Sequence, residues 1–239
     1  MILVVAAYVV TAIFVAGIAT RVFVWATAPV PLKIPTTPAP KTYPGVTVRV
    51  LGEVLLFNSL FRSDKLLWVG AWAFHIGLVL IILRHVRYFL YPVPDWVMTM
   101  QTPGIWTGYF FLLPILYLLA RRLTLRPVIY VSTFTDYFVL ALLGGIVGTG
   151  VVMRYAARTS IVDVKAFILG LLTLDPVSPP TDSFFLAHIL LVCVLVAYFP
   201  FSKLMHAPGV FFSPTRSSRN NSRSVRHINP WDSKLPWKS

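Results

Sequence analysis

The sequence predicts an all-α integral membrane protein, a bundle of five transmembrane helices with its N-terminus outside and its C-terminus in the cytoplasm. Three observations carry that reading. The 239 residues are 57% hydrophobic and 12% charged, with a mean hydropathy of +0.76, more apolar surface than a soluble domain of this size can hide. Five apolar segments have the length needed to cross a bilayer, at 2–25, 66–90, 104–120, 137–153 and 183–204. The basic residues are also sided. Sixteen of the twenty-one Lys and Arg fall in the 21–65 connection, the turn after the third span and the tail, and five fall on the opposite side. The positive-inside rule then sets the orientation.

Each segment has its own justification. No positive charge precedes the first apolar run, which is too long for a signal-peptide core, so a retained helix is expected despite Ala26-Thr27-Ala28. Residues 28–44 hold six prolines and are expected to be extended. Residues 46–57 suit a short interfacial helix with Arg49 and Glu53 on its wet side. The external turn 91–96 carries prolines and aromatics, as an interfacial belt does. In the fourth span, the glycine-rich run 144–150 admits close approach of another helix or of a flat cofactor, and the two readings stand level. Residues 165–174 suit an external amphipathic helix, and Pro200 is expected to kink the fifth span near its cytoplasmic end. Residues 1–206 form one membrane domain and 207–239 a basic tail. From Ser213 on, the tail has few apolar anchors until Trp231, Leu235 and Trp237, so it is expected to order only against a partner. Positive-inside bias explains its charge, so no nucleic acid is expected as a partner. Cys193 is the single cysteine, which excludes disulfides and cysteine-ligated clusters within the chain.

Four of the five histidines lie in this apolar framework. His75 and His85 are ten residues apart on the second span; His188 and His206 are eighteen apart on the fifth. Ionisable groups inside a membrane are expensive and mark function. On straight helices the first pair is about 15 Å apart and about 80° around, and the second shares a face about 27 Å apart. The two spans run in opposite directions, so His85 and His188 fall near the outer leaflet and His75 and His206 near the inner one. That layout suits two haem b groups, each taking one imidazole from each helix, and hence electron transfer across the membrane. A lone membrane histidine more often bonds helix to helix, but four paired in depth fit that poorly. A non-haem metal site would bring closer histidines and carboxylates, and neither histidine-bearing span contains Asp or Glu. His227 belongs to neither site.

Haem propionates call for cations. Arg84, Arg87 and Arg154 are the candidates at the outer haem, and Arg62, Lys65 and Lys203 at the inner one, against the alternative that each snorkels to the headgroups. A quinol site beside the outer haem has His85, Arg87, Tyr88 and Asp95 as candidates. The competing class is a haem-free anchor or transporter subunit, disfavoured by the missing intramembrane carboxylates and broken helices.

The ten and eighteen spacings on the second and fifth spans resemble the respiratory nitrate reductase gamma-subunit family of dihaem cytochromes b. Within it, Arg84-His85-Val86-Arg87-Tyr88-Phe89, Tyr91-Pro92-Val93-Pro94 and the tail stretches 212–216 and 227–232 look like the DsrM-type membrane subunit of the complex associated with dissimilatory sulfite reductase. The resemblance implies a menaquinone/menaquinol site on the outer side and a cytoplasmic iron–sulfur subunit of heterodisulfide-reductase type as partner. It also implies further membrane and periplasmic subunits, a place in the cytoplasmic (inner) membrane of a prokaryote, and dissimilatory sulfur metabolism. A gamma subunit of a nitrate reductase or heterodisulfide reductase type complex is the alternative, and reversed electron flow would keep the same haems. Chemistry on the terminal substrate would belong to the partner. Family members carry a quinol-binding lysine in the external connection after the second span. No Lys or Arg lies between Tyr88 and Ile105 here, so quinone contacts are not carried over.

Overall fold

The computed structural model describes residues 1–29, 34–221 and 223–224, and those residues form helices and turns with no strand among them. α1 (Ile2–Thr27) is followed by α2 (Tyr43–Leu56), the short α3 (Asn58–Ser63) and α4 (Lys65–His85), which ends in a 3₁₀ turn, Val86–Tyr88. α5 (Asp95–Thr99), α6 (Gln101–Phe110) and α7 (Leu112–Thr124) form one run, and α8 (Arg126–Val131) leads into α9 (Phe134–Val152). Then come α10 (Ile161–Leu172), α11 (Ser183–Tyr198), α12 (His206–Gly209) and α13 (Pro214–Ser217). Five stretches are long and apolar enough to cross a membrane: Ile2–Thr27, Lys65–Tyr88, Asp95–Thr124, Phe134–Ala157 and Ser183–Phe201.

Where these bounds differ from the sequence reading, local chemistry explains why. The third stretch begins at Asp95 rather than 104, because Pro103 and Pro114 occupy the first turns of α6 and α7, where a missing N–H breaks no helical bond. The fourth begins at Phe134 because Thr133 and Asp136 form a capping box, with Asp136 Oδ2 accepting from Thr133 N at 2.9 Å. Asp136 is buried and lies 3.7 Å from Arg122 Nη2, while Arg122 Nη1 donates to Ser132 Oγ at 2.9 Å. Pro200 ends the regular helix of the fifth stretch instead of kinking it. It offers no N–H to the carbonyl of Val196, so α11 stops at Tyr198 and two 3₁₀ turns, Phe199–Phe201 and Lys203–Met205, follow. His206 therefore opens α12 and does not continue the helix that carries His188.

The chain divides into two compact units. The first comprises Met1–Val15 and Leu66–Ser202. One of its cores joins Phe111 and Ile115 to Leu140 and Leu143 of α9, with Phe74, Leu78 and Ile81 of α4 and Leu195 of α11 against it. Glycines permit that closeness. A Cβ at Gly77 would sit 2.6 Å from the Phe111 ring. A second core joins Val4, Phe167 and Phe185, and Tyr8 donates to Leu171 O at 2.9 Å. α10 thus buries Phe167 completely and starts at Ile161, capped by Ser160, four residues before the amphipathic helix expected at 165. Threonines hide their hydroxyls on their own helices: Thr11 donates to Ala7 O, Thr107 to Pro103 O and Thr124 to Ala120 O, each at 2.8 Å.

The second unit comprises Ala16–Lys65 and Lys203–Ser239. Thr20 and Thr27 of α1 follow the same pattern onto Ala16 O and Phe23 O. α2 is turned the other way round from the interfacial helix expected. Arg49 Nη2 donates to Thr36 O at 3.0 Å and Glu53 accepts from Ser59 N at 3.2 Å, so its polar face meets the chain itself. Val48, Leu51 and Leu55 are among its exposed residues. The start of the tail is likewise ordered by its own chain, contrary to expectation. Thr36 N donates to Thr215 O at 2.8 Å, Asn220 N donates to Pro40 O at 2.9 Å, and the Arg219 guanidinium lies 3.9 Å from the Tyr43 ring centroid. Extended proline-rich backbone has no internal hydrogen bonds, so its polar groups are open to such pairing. The expectations for His227, Trp231, Leu235 and Trp237 lie outside the described residues. An exposed cation–π contact is worth roughly 0.5–1 kcal/mol. Arg219→Ala should therefore speed tryptic cleavage after Arg216 about two- to five-fold; an unchanged rate would show that the contact does not hold the segment.

Candidate cofactor site

α4 and α11 bring His85 and His188 together. Their ring centroids are 6.4 Å apart and their planes within 9° of parallel. His85 is the last residue of α4; His188 lies in the second turn of α11, whose start is capped by Asp182 Oδ1 accepting from Phe185 N at 2.8 Å. His85 Nδ1 lies 2.7 Å from Ile81 O, a pure acceptor, so Nδ1 carries the proton. His188 Nδ1 lies 3.0 Å from Thr149 Oγ1. The Thr149 hydroxyl proton goes to Gly145 O at 2.8 Å, so its oxygen accepts from His188 Nδ1–H. Both rings then keep the Nε2 lone pair for a metal, the tautomer that an orienting Nδ1–H bond selects in metal-ligating histidines.

The donor set fits an iron between two imidazoles. With histidine–metal bonds of about 2.0 Å on each side, the ring centroids come about 6 Å apart, close to the separation observed. The surroundings fit the rest of a haem. Arg84 Nε is buried with no hydrogen-bond partner. The charged or ionisable groups acting on Arg84 are Tyr88, Arg154, Arg87 and Tyr155, none of them a carboxylate. A buried guanidinium N–H without an anion suits a haem propionate. On α9, a Cβ added at Gly144 or Gly148 would meet nothing within 4 Å, so these glycines line open space rather than a helix contact. The run serves helix packing as well, since a Cβ at Gly145 would come 3.3 Å from Leu191 and one at Gly150 3.3 Å from His188, both on α11.

A sequence model of the nitrate reductase gamma subunit matches residues 57–226, which carry all four ligand candidates. The chain belongs to that family. It is 36% identical to an Hdr-like menaquinol oxidoreductase cytochrome b-like subunit of Archaeoglobus profundus, over 94% of this chain and 81% of that protein. A protein of the same description from Archaeoglobus fulgidus is also 36% identical, with the same coverage.

The remaining candidates of this gamma-subunit family member are placed as follows. His75, on α4, has Nδ1 2.7 Å from Ala71 O and meets the Phe74 ring edge-on at 5.2 Å. His206 belongs to the second unit, is exposed, and has Nδ1 2.8 Å from Lys203 O. The rings of Tyr88 and His85 are 5.9 Å apart. Arg87 Nη1 donates to Gln101 Oε1, and the Arg154 guanidinium lies 6.0 Å from the Tyr155 ring centroid. Arg62 closes α3 and Lys65 Nζ lies 5.8 Å from the Phe61 ring centroid. Among the described residues no three His, Cys, Asp or Glu gather to hold a metal ion.

Sequence reasoning missed three neighbours. Thr149 was visible only as the polar interruption of the glycine run, next to Gly150. Gln101 carried no signal. Lys165 lies in another connection, yet its Nζ is 5.0 Å from the Tyr91 ring centroid, so a lysine does reach the lysine-free turn after α4.

Proposed function

We propose that this chain is the dihaem cytochrome b subunit of a membrane oxidoreductase. It relays electrons between menaquinol and a cytoplasmic iron–sulfur partner of heterodisulfide-reductase type, in a DsrM-like complex of dissimilatory sulfur metabolism. The observation that carries this reading is the parallel His85–His188 pair across α4 and α11, each ring tied through Nδ1. The naming of both relatives as menaquinol oxidoreductase subunits supports the quinol side.

A haem bound there would supply a one-electron couple. His85 and His188 would hold the outer haem, and Arg84, Arg87 and Arg154 would meet its carboxylates. His75 and His206 would hold the inner one, a pairing that rests on their spacing in the sequence. A quinol leaves two electrons and two protons on oxidation. With both nitrogens of His85 committed, Asp95 is the proton acceptor of the candidate set, taking the two protons one after the other and passing each to the outer side before the next, and Arg87, Tyr88 and Lys165 supply donors for the quinone oxygens. Protons leave on the outer side. Residues 1–206 form the membrane domain in the inner membrane of a prokaryote. The tail beyond it, with the proline-rich connection, receives the iron–sulfur partner, and other membrane and periplasmic subunits complete the complex.

A dithionite-reduced minus oxidised spectrum of the purified chain, with pyridine haemochrome quantitation, tests this. Two b-type haems per chain are expected. A folded sample without haem would overturn the relay and leave a haem-free anchor.

A further inference from the structure

We propose that Thr149 is the positioning residue of His188, fixing its tautomer and lowering the potential of the haem held by His85 and His188; the inference rests on the haem reading above. Among the four ligand candidates, His75, His85 and His206 direct Nδ1 to a backbone carbonyl three or four residues earlier in their own segment. His188 instead reaches across to α9, with Nδ1 3.0 Å from Thr149 Oγ1 and the Ile146 carbonyl also within its reach.

That hydroxyl has one proton, and it is engaged by the α9 backbone, with Gly145 O at 2.8 Å and Ile146 O at 3.0 Å. Toward His188 it can only accept. The next residue completes the seat. A Cβ at Gly150 would lie 3.3 Å from His188 Cε1 and 3.6 Å from Nδ1, so a side chain there would press on the ring. Thr149 and Gly150 together hold one edge of the imidazole from a neighbouring helix.

A ligand imidazole that donates from Nδ1 is a more basic ligand. Greater basicity favours ferric over ferrous iron, so losing the acceptor raises the potential. Thr149→Val keeps the β-branched shape on the helix and removes the hydroxyl, both the acceptor facing His188 and the donor to the α9 backbone. The expected result is an upward shift equal to about a tenfold change in the reduced-to-oxidised ratio, roughly 59 mV for a one-electron couple. It is confined to the haem that His85→Ala abolishes. Thr149→Ser, which keeps the oxygen, stays near the native potential.

The experiment is a redox titration of the full chain and both variants in the visible region, with haem counted in each. An upward shift in Thr149→Val alone supports the proposal. So does loss of that one haem in Thr149→Val but not in Thr149→Ser. Unchanged potentials, equal shifts in both variants, or loss from both overturn it, because the hydroxyl then does not matter. A native chain with no haem would instead overturn the haem reading itself.

Discussion

On the dihaem reading proposed above, His85→Ala is expected to leave the purified chain with one haem b in place of two, and His188→Ala to remove the same one. Each variant deletes one of two imidazoles whose rings lie 6.4 Å apart and nearly parallel, so neither remaining nitrogen can hold iron on both faces. The loss is all or none at that site. The partner ring keeps its own Nδ1 contact, to Ile81 O or Thr149 Oγ1, so the helices retain their local bonds and the variants should still fold. His75→Ala and His206→Ala are expected to remove the other haem, which a second spectral component and its own midpoint would reveal. Haemochrome counts and redox titrations of the four variants decide the pairing. Two different haems lost in His85→Ala and His188→Ala would break it.

Arg84→Leu lowers the potential of the same haem. Arg84 precedes His85 directly, has a buried Nε without a partner, and packs its aliphatic stem against Gly104, where an added Cβ would come 2.7 Å from Arg84 Cβ and 2.8 Å from its Cδ. A positive charge beside the iron favours the reduced, less positive state. At about 10 Å and an effective dielectric of 20, one unit charge contributes about 1.7 kcal/mol, a change of roughly tenfold or more in the reduced-to-oxidised ratio. Arg84→Lys keeps the charge and should fall between the two. An arginine that merely snorkels to headgroups would leave the potential where it was; that outcome in a redox titration would remove Arg84 from the site.

The sequence made the spans and the histidine pair legible for different reasons. Hydropathy and siding of charge are averages over many residues, so five apolar stretches survive errors of several residues at Asp95 or Phe134. His85 and His188 were legible because a polar ring inside a lipid-facing helix has few reasons to be there. What depends on one bond was not. Pro200 reads as a kink, but the missing N–H ends α11 there, which takes His206 off the helix of His188. The pairing of 34–42 with 213–221 joins segments far apart in sequence, and no local pattern in Thr36 or Asn220 announces it. Thr149 was hidden because threonine inside a span ordinarily serves its own backbone, and here it serves that and a neighbour.

The threonines of the spans bear on how such a chain is made. Thr11, Thr20, Thr27, Thr107, Thr124 and Thr149 each donate to a carbonyl four residues earlier, so no span depends on another to satisfy these hydroxyls. Each helix can leave the translocon and enter lipid with these hydroxyls already silent. Insertion can then precede assembly, with helix–helix contacts forming among spans already threaded through the bilayer.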